Sequence, residues 1–172
     1  MAHLVKIRPY AQADRLVVRD LFVRVNRLLA TPALAEAFED YIKSSLSEEI
    51  DRIPEYYRER QGSFWVAMAN AAVVGMFGLE RAAEGQFELR RMYVDPSARR
   101  LGIGRQMLDF AEHEARTRGA REMVLSTSEI QKEALALYRH AGYRETREEI
   151  AESRSNKTIG GGIRRHHFSK AL

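Results

Sequence analysis

One segment of this chain, residues 88–105, joins a strand to a helix through a proline turn and a basic loop. Its sequence is Glu-Leu-Arg-Arg-Met-Tyr-Val-Asp-Pro-Ser-Ala-Arg-Arg-Leu-Gly-Ile-Gly-Arg. Such a loop directs several backbone N–H groups one way at the positive end of a helix dipole, which is an arrangement that binds phosphate groups. Gly102 and Gly104 allow the main chain to approach an anion closely because they carry no Cβ. The segment therefore predicts a strand, an anion-binding loop and an amphipathic helix, in that order.

Two common nucleotide-binding loops do not fit this segment. It lacks the Gly-Lys-Ser/Thr that holds a nucleotide γ-phosphate and its magnesium ion. The dinucleotide-binding loop needs a third glycine at a set spacing, and Arg105-Gln106-Met107 does not supply one. A P-loop NTPase and a dinucleotide-binding domain are both excluded on these grounds.

The pattern that remains, Arg99-x-x-Gly102-x-Gly104 after a strand that ends in Met-Tyr-Val-Asp-Pro, resembles the GNAT N-acetyltransferase superfamily. The family motif at this position is Gln/Arg-x-x-Gly-x-Gly/Ala. A second family signature, Asn-x-x-Ala-x-x-Leu-Tyr followed by Gly-Phe/Tyr, lies downstream. The residues that match it are Ala134, Leu137, Tyr138, Gly142 and Tyr143, with Gln131 in place of the asparagine. The resemblance covers residues 63–143 with specific motifs.

The resemblance implies that acetyl-CoA is bound as a co-substrate. Main-chain groups of residues 100–105, together with the Arg99 side chain, are expected to bind its pyrophosphate. The main chain of the preceding strand is expected to receive the pantetheine arm and the thioester carbonyl. The cofactor-binding residues implied are Met92, Tyr93, Val94, Arg99, Arg100, Leu101, Gly102, Ile103, Gly104, Arg105, Gln131 and Tyr138.

Two side chains are candidates for proton transfer. The resemblance implies that Tyr138 is the general acid that protonates the coenzyme A thiolate, although its helical position also suits a core residue. Glu88 is the candidate general base, acting directly or through water. The alternative for Glu88 is an ion pair with Arg90 or Arg91.

Strand alternation bears on the surroundings of the candidate base. It places Glu88, Arg90, Met92 and Val94 on one face of the strand, unless a bulge intervenes. On this prediction the carboxylate of Glu88 and the side chain of Arg90 point the same way.

Metal chemistry is not expected. Adjacent residues of a strand point to opposite faces, so His166 and His167 make a poor chelating pair. His113 and His140 are interpreted as solvated helix residues. The absence of cysteine excludes disulfides, thiolate metal sites and a cysteine nucleophile.

The length and composition suit one folded domain over residues 1–172. The chain is 45% hydrophobic and 30% charged, and it contains no apolar run that approaches a membrane span. Residues 1–6 lack a secretory hydrophobic region, and a cytoplasmic location without membrane association is therefore expected. The net charge of +4 is interpreted as solvated helix faces and a cofactor site rather than a nucleic-acid surface.

The apolar periodicity predicts the secondary structure. Alternation indicates strands over residues 5–9, 63–69, 72–79, 87–94, 123–125, 143–151 and 163–169, and Asn70-Ala71 indicates a short hairpin turn between the second and third of them. Helical spacing indicates helices over residues 14–29, 104–118 and 131–141, and one, either continuous or broken, from residue 33 that stops near Pro54. The helix over residues 104–118 has Met107, Leu108, Ala111 and Ala115 along one apolar stripe. The apolar positions assigned to the first helix are Leu16, Val17, Leu21, Val25 and Leu28. The fold class predicted is α+β, a single-domain mixed, mostly antiparallel β-sheet flanked by helices, as in the GNAT fold.

The sequence says less about the acceptor site than about the cofactor site. The resemblance places it between residues 28–41 and 144–163, where acidic side chains either attract a cationic amine or form the polar faces of amphipathic elements. These side chains are Glu36, Glu39, Asp40, Glu148, Glu149 and Glu152. The long loop over residues 153–162 is interpreted as a flexible substrate lid or as a tail that orders in a homodimer.

The function predicted is acetyl-CoA-dependent N-acetylation, by direct transfer to an amine of a small molecule or peptide. Two alternatives stay open at this point. One is a non-catalytic acyl-CoA-binding regulatory module, and the other is an RNA-directed acetyltransferase suggested by the basic loop and the basic residues near the end of the chain.

Overall fold

The computed structural model describes residues 4–172, in which seven strands and five helices are present. The strands are β1 (Lys6–Pro9), β2 (Ser63–Ala69), β3 (Ala72–Ala83), β4 (Gln86–Val94), β5 (Glu122–Ser128), β6 (Arg144–Ala151) and β7 (Ile163–Ala171). The helices are α1 (Arg15–Leu29), α2 (Ala35–Glu48), α3 (Ile53–Glu59), α4 (Ile103–Thr117) and α5 (Lys132–His140). Short 3₁₀ turns cover Gln12–Asp14, Pro32–Leu34, Ile50–Arg52 and Pro96–Ala98.

All seven strands form one sheet in the order β1-β2-β3-β4-β5-β7-β6. Every neighbouring pair is antiparallel except β4 and β5, which are parallel. The predicted α+β fold, with a mostly antiparallel sheet and flanking helices, is confirmed. The parallel pairing of β4 with β5 extends only from Gln86–Glu122 to Glu88–Val124. Beyond Glu88 the two strands are unpaired with each other, and this gap positions the site.

The sheet separates two hydrophobic cores. Strand β2 supplies both, since Phe64 and Val66 pack with α1, α2 and α3, whereas Trp65 and Ala67 pack with α4 and α5. The stripe predicted on α4 is confirmed, and its members Met107, Leu108, Ala111 and Ala115 are all fully buried. Burial on two opposite faces explains why the central strands are apolar at successive positions.

The predicted buried face of α1 is partly wrong. Leu16 and Leu28 are 76% and 64% exposed, whereas Val18 and Phe22 are fully buried. Val18, Phe22 and Val25 lie on one face at helical spacing. The helix is apolar at several adjacent positions, so its sequence is compatible with more than one stripe, and packing against the sheet selects this one.

The second helical region is broken, which is one of the two predicted possibilities, but its predicted end near Pro54 is wrong. Helix α2 begins at Ala35, after Pro32 has started a 3₁₀ turn, and ends at Glu48. Pro54 then lies in the first turn of α3. A proline is tolerated there because the first backbone N–H groups of a helix have no intrahelical acceptor.

The predicted hairpin between β2 and β3 is confirmed. Asn70 and Ala71 connect the strands, with φ of 48° and 65°. Two left-handed residues in succession match the twist of the flanking strands, which is the reason that two-residue hairpins favour this conformation.

Within residues 4–172, none of the helices combines the length and the apolar character needed to cross a bilayer. The N-terminal segment considered for an export signal, residues 1–6, includes residues 1–3, which lie outside the described part of the chain.

Candidate functional site

A cleft, here called the open cleft, lies where β4 and β5 diverge. Five of the residues predicted from the sequence line it: Glu88, Met92, Tyr93, Gln131 and Tyr138. Val94 and residues 99–105 follow along the end of β4 and the start of α4. A Cβ on Gly104 would lie 3.3 Å from Leu137 and 3.9 Å from Val94, so the start of α4 packs against both β4 and α5. The structure thus brings the two sequence motifs together at one end of the cleft.

The loop before α4 presents unpartnered backbone donors. Gly102 caps the helix with φ of 76°, and Arg100 is also left-handed with φ of 63°. In the described part of the chain, the main-chain N–H groups of residues 100–105 donate no hydrogen bond to another residue. Consecutive free N–H groups at the positive end of a 15-residue helix suit an anion such as a pyrophosphate.

The basic side chains of this loop are available for the same anion. Arg100 is exposed, and Arg105 forms an exposed ion pair of 2.9 Å with Asp109 one turn along α4. The Nε of Arg99 lies 3.9 Å from a carboxylate oxygen of Glu133. Exposed pairs of this kind are worth ~1 kcal/mol or less, so a doubly charged ligand competes with them easily.

A β-bulge distorts β4 beside the open cleft. Met76 of β3 is opposite Tyr93 and Gly78 is opposite Arg90, so β4 contains one residue more than β3 between these pairs. Arg91, inside the bulge, has φ of 52°. The bulge named as the exception to the predicted alternation is therefore present, and Glu88 to Val94 do not alternate simply. Arg90 and Arg91 are both buried and contact the same carboxylate, instead of pointing to opposite faces.

That carboxylate belongs to Glu49, at the end of α2, which is completely buried. Its Oε1 accepts from Nη2 of Arg90, and its Oε2 accepts from Nε of Arg91 at 2.8 Å. The hydroxyl of Tyr57 donates to Oε2 at 3.1 Å, and the side-chain amide of Asn156 donates to Oε1 at 3.2 Å. Each carboxylate oxygen thus has two donors, which is the condition for burying a charge without a large penalty.

Arg91 extends this network. Its Nη1 donates to the hydroxyl of Tyr41 at 2.5 Å, and its Nη2 donates to Asn156 at the backbone oxygen and at Oδ1, at 2.8 and 2.6 Å. The guanidinium also lies 5.2 Å from the ring centre of Phe22. Arg91 therefore ties the bulge of β4 to α2 and to the loop between β6 and β7.

The loop over residues 153–162, interpreted from the sequence as a flexible substrate lid or as a tail that orders in a homodimer, is anchored by contacts with α2 and with the α1–α3 core. Arg154 donates to the backbone oxygen of Asp40 at 2.7 Å, and Ile159 is buried among the side chains of the α1–α3 core. Asn156 contributes to the Glu49 network described above. The loop crosses the open cleft as a fixed wall in this structure.

Glu88 is half-buried in the open cleft. Its Oε2 accepts a bond of 2.5 Å from Nζ of Lys157 in the anchored loop. The predicted alternative, an ion pair with Arg90 or Arg91, is wrong because both arginines pair with Glu49.

Tyr138 and Gln131 occupy the α5 side of the cleft. Burial, with a smaller contribution from Tyr93, raises the pKa of the Tyr138 hydroxyl above its usual value, so this group stays protonated at neutral pH. Gln131, at the start of α5, accepts a hydrogen bond from the hydroxyl of Thr127. Burial and the neighbouring Tyr41 raise the pKa of Tyr93 to about 12, which keeps this hydroxyl neutral as well.

The site residues that were not predicted from the sequence include Glu49, Tyr41, Asn156 and Arg165. Glu49 and Tyr41 belong to a helical region rich in charged residues, where no local pattern distinguishes them. Arg165 had a usable signal, since it shares strand parity with Ile163, which packs in the α1–α3 core.

The acidic residues considered for acceptor recruitment do not line the open cleft. Glu39 forms an exposed ion pair with Arg27 at 2.8 Å. On the other side, Glu148 pairs with Arg164 at 3.1 Å, and Glu149 lies 2.8 Å from His167. The contacts favour the interpretation of these residues as polar faces.

His166 and His167 do face different ways, as predicted. Nδ1 of His166 lies 2.7 Å from Glu145 and 3.6 Å from Glu148, so three potential ligand atoms cluster outside the cleft. Arg139 pairs with Glu145 and Arg164 pairs with Glu148, so both carboxylates already have a positively charged partner.

Comparison with known proteins agrees with this geometry. A family model described as the acetyltransferase (GNAT) family matches residues 31–143. The chain belongs to this family. The match includes both the glycine loop and α5, and it ends at Tyr143, the last residue of the second motif.

Relatives of this GNAT chain include the human protein named N-acetyltransferase 8, which is 33% identical over 113 residues, 62% of this chain and 50% of that protein. The chain spans about half the length of the curated relatives it matches. A GNAT-family acetyltransferase from Staphylococcus aureus Mu50 has a TM-score of 0.75 at 18% identity, covering 98% of this chain and 99% of that one. The PaiA N-acetyltransferase from Thermoplasma acidophilum, in complex with coenzyme A, has a TM-score of 0.76 at 18% identity with the same coverage. These structures share the GNAT fold with the chain.

Replacement of Glu49 by Gln is expected to destabilise this GNAT domain by ~3–5 kcal/mol near neutral pH, since it leaves two buried arginines without their counter-charge.

Burial raises the pKa of Glu49, but Arg91 and Arg90 outweigh it and lower the pKa from 4.5 to about 2. The unfolded chain therefore takes up this proton first. The corresponding stability, ~3 kcal/mol, is present above pH 4.5 and is lost as the pH falls towards 2.

The measurement is the free energy of unfolding in urea as a function of pH. The difference between the wild type and Glu49→Gln should shrink below pH 4.5. Glu39→Gln, which removes an exposed ion pair with Arg27, is the matched control and should change stability by ~1 kcal/mol or less. Equal losses in the two variants would contradict the role assigned to Glu49.

Proposed function

We propose that the chain is an acetyl-CoA-dependent N-acetyltransferase that transfers the acetyl group directly to an amine of a small molecule or peptide. One observation carries the proposal: the free N–H groups of residues 100–105 lie at the end of a strand that has separated from its neighbour. The first feature suits a pyrophosphate and the second suits an extended thioester arm. Membership of the GNAT family and the names of the relatives support the same activity.

The residues present fit acetyl-CoA, which would supply a thioester-activated acetyl group. The pyrophosphate would be held by the main-chain N–H groups of Arg100, Leu101, Gly102, Ile103, Gly104 and Arg105, together with the side chain of Arg99. Met92, Tyr93 and Val94 would offer main-chain groups to the pantetheine arm and to the acetyl carbonyl, since the β5-facing edge of β4 is unpaired beyond Glu88. Gln131 would contribute a side-chain amide from α5.

Two side chains would handle protons. Tyr138 lines the open cleft with a hydroxyl that burial keeps protonated, so it can donate a proton to a leaving thiolate. Glu88 lines the same cleft as a carboxylate and can accept a proton from the amine, directly or through water. Direct transfer needs no enzyme nucleophile, and the chain has no cysteine to provide one.

Acetyl-CoA binding tests the loop. Gly102 and Gly119 lie at opposite ends of α4 with φ of 76° and 82°, and a Cβ on either strains the backbone by ~1 kcal/mol or more. Gly102→Ala should weaken acetyl-CoA binding about tenfold or more, since it disturbs the amide array, whereas Gly119→Ala should leave it unchanged. Isothermal titration calorimetry measures both, and a folded wild type that binds no acetyl-CoA would refute the proposal.

Tyr138→Phe should lower kcat by ~10²–10⁴-fold through loss of the proton donor, while the Kd for acetyl-CoA stays within about threefold. The ring of Tyr143 packs 5.9 Å from that of Tyr138 but does not line the cleft, so Tyr143→Phe is the matched control and should keep kcat. Thiol release and calorimetry provide the two readouts. Full turnover in Tyr138→Phe would remove the assigned role.

Glu88→Gln should remove the acidic limb of the pH–rate profile and lower kcat/KM by ~10²–10⁴-fold, because the amide cannot accept a proton. Glu80 is opposite Glu88 on β3, and its carboxylate lies 3.7 Å from Nζ of Lys157 outside the open cleft. Glu80→Gln is the control and should retain the acidic limb. An unaltered profile in Glu88→Gln would assign the base elsewhere.

A further inference from the structure

Arg165 of β7 projects into the acceptor side of the open cleft. It shares strand parity with Ile163, and it lines both the open cleft and a smaller adjoining cavity, which we call the second pocket. The two spaces also share Tyr41, Tyr93, Gln131 and Lys157 as lining residues, so they lie side by side.

The charge of Arg165 is not compensated by an ion pair. Its Nη2 donates to the hydroxyl of Ser126 on β5 at 2.6 Å, and within residues 4–172 it forms no ion pair with a carboxylate. A guanidinium has five N–H donors in a planar fork that matches a carboxylate. A neutral hydroxyl uses one of them and supplies no charge.

The other cations around the cleft are neutralised. Arg90 and Arg91 contact Glu49, and Nζ of Lys157 lies 2.5 Å from Glu88 and 3.7 Å from Glu80. None of these carboxylates pairs with Arg165. Burial lowers the pKa of Arg165 from its usual value, and the side chains of Tyr41, Tyr93, Glu149 and Glu88 only partly oppose this effect. Arg165 is therefore a half-buried cation that lacks an anionic partner.

The second pocket is apolar on the side of the helical core. Its walls on that side are Leu29, Phe38, Tyr41, Tyr93, Ile159 and Ile163, whereas Asn26, Ser128, Gln131, Lys157, Thr158 and Arg165 line the rest of a cavity of about 40 Å³. A ligand that fills it would place hydrocarbon against these side chains and a polar end near Arg165. An anion and an apolar group on one small molecule are the features that this part of the site accommodates.

We propose that the acceptor is an α-amino acid with a free carboxylate and an apolar side chain, the carboxylate binding to Arg165 and the side chain entering the second pocket. This inference rests on the proposed function and specifies its substrate class. The neutral amine attacks the thioester carbonyl carbon, a C–N bond forms and the C–S bond breaks. The sulfur leaves with the bonding pair and gains a proton, while the nitrogen loses one, giving an N-acetyl amino acid and coenzyme A.

Matched acceptors test the carboxylate. Alanine, valine and leucine are each compared with the corresponding amide by thiol release, for the wild type and for Arg165→Gln. Arg165→Gln should lower kcat/KM for the acids by about 10–100-fold, the effect of losing a charge-assisted pair, and for the amides by less than about threefold. The ratio of acid to amide within each protein cancels differences in the basicity of the acceptor amines.

Arg164→Gln is the matched control on the same strand. Arg164 pairs with Glu148 on the exposed face and does not line the cleft, so this variant should retain the wild-type ratio of acid to amide. Equal losses on acids and amides in Arg165→Gln, or activity only on amines that lack a carboxylate, would overturn the inference.

A binding readout separates this inference from the proposed function. N-acetylvaline, the product expected from valine, is titrated calorimetrically into the protein without coenzyme A. It should bind the wild type and Arg164→Gln alike, and Arg165→Gln at least about tenfold more weakly. If acetyl-CoA binds but no amine releases thiol, the transfer reaction fails while this titration still decides the role of Arg165. Absence of binding to the wild type, or equal binding to Arg165→Gln, would contradict it.

Discussion

The buried carboxylate of Glu49 is the group on which the geometry of the site depends. Two consecutive arginines of β4, Arg90 and Arg91, enter the interior on the same side, which is possible only because one strand residue adopts a left-handed conformation. Two such cations would be costly to bury without a counter-charge. Glu49 supplies it, and Tyr57 and Asn156 complete the hydrogen bonds of its oxygens. The bulge bends β4, and the strand separates from β5 where the open cleft begins.

The same network joins the end of α2, strand β4 and the loop between β6 and β7 at the site. Asn156 bonds to both Glu49 and Arg91, and the neighbouring Lys157 reaches Glu88. The loop between β6 and β7 therefore becomes a wall of the cleft through its polar contacts with β4, rather than through apolar packing alone. Its position leaves Arg165 facing the space where the acceptor is proposed to bind.

The two regions proposed to bind anions are built differently. At the start of α4, backbone N–H groups and a helix dipole act together, and the side chains around them are exposed and only weakly paired. At Arg165, one half-buried side chain carries the charge, with Ser126 as its hydrogen-bond partner. The first arrangement suits a mobile, doubly charged diphosphate, and the second suits a single carboxylate held in one orientation.

Features that depend on residues close together in the chain could be predicted from the sequence alone. The glycine loop, the buried stripe of α4, the hairpin at Asn70-Ala71 and the second motif with Tyr138 follow from local spacing and turn chemistry, which a linear pattern records. Where the local pattern was degenerate, as in α1 and around Pro54, packing against the sheet selected the outcome. The buried polar network of the site becomes apparent only in the folded chain, because Glu49 contacts Arg91 across 42 residues of sequence and Asn156 across 107. A buried ion pair leaves no periodic trace in either segment, so its partners become visible only when the chain has folded.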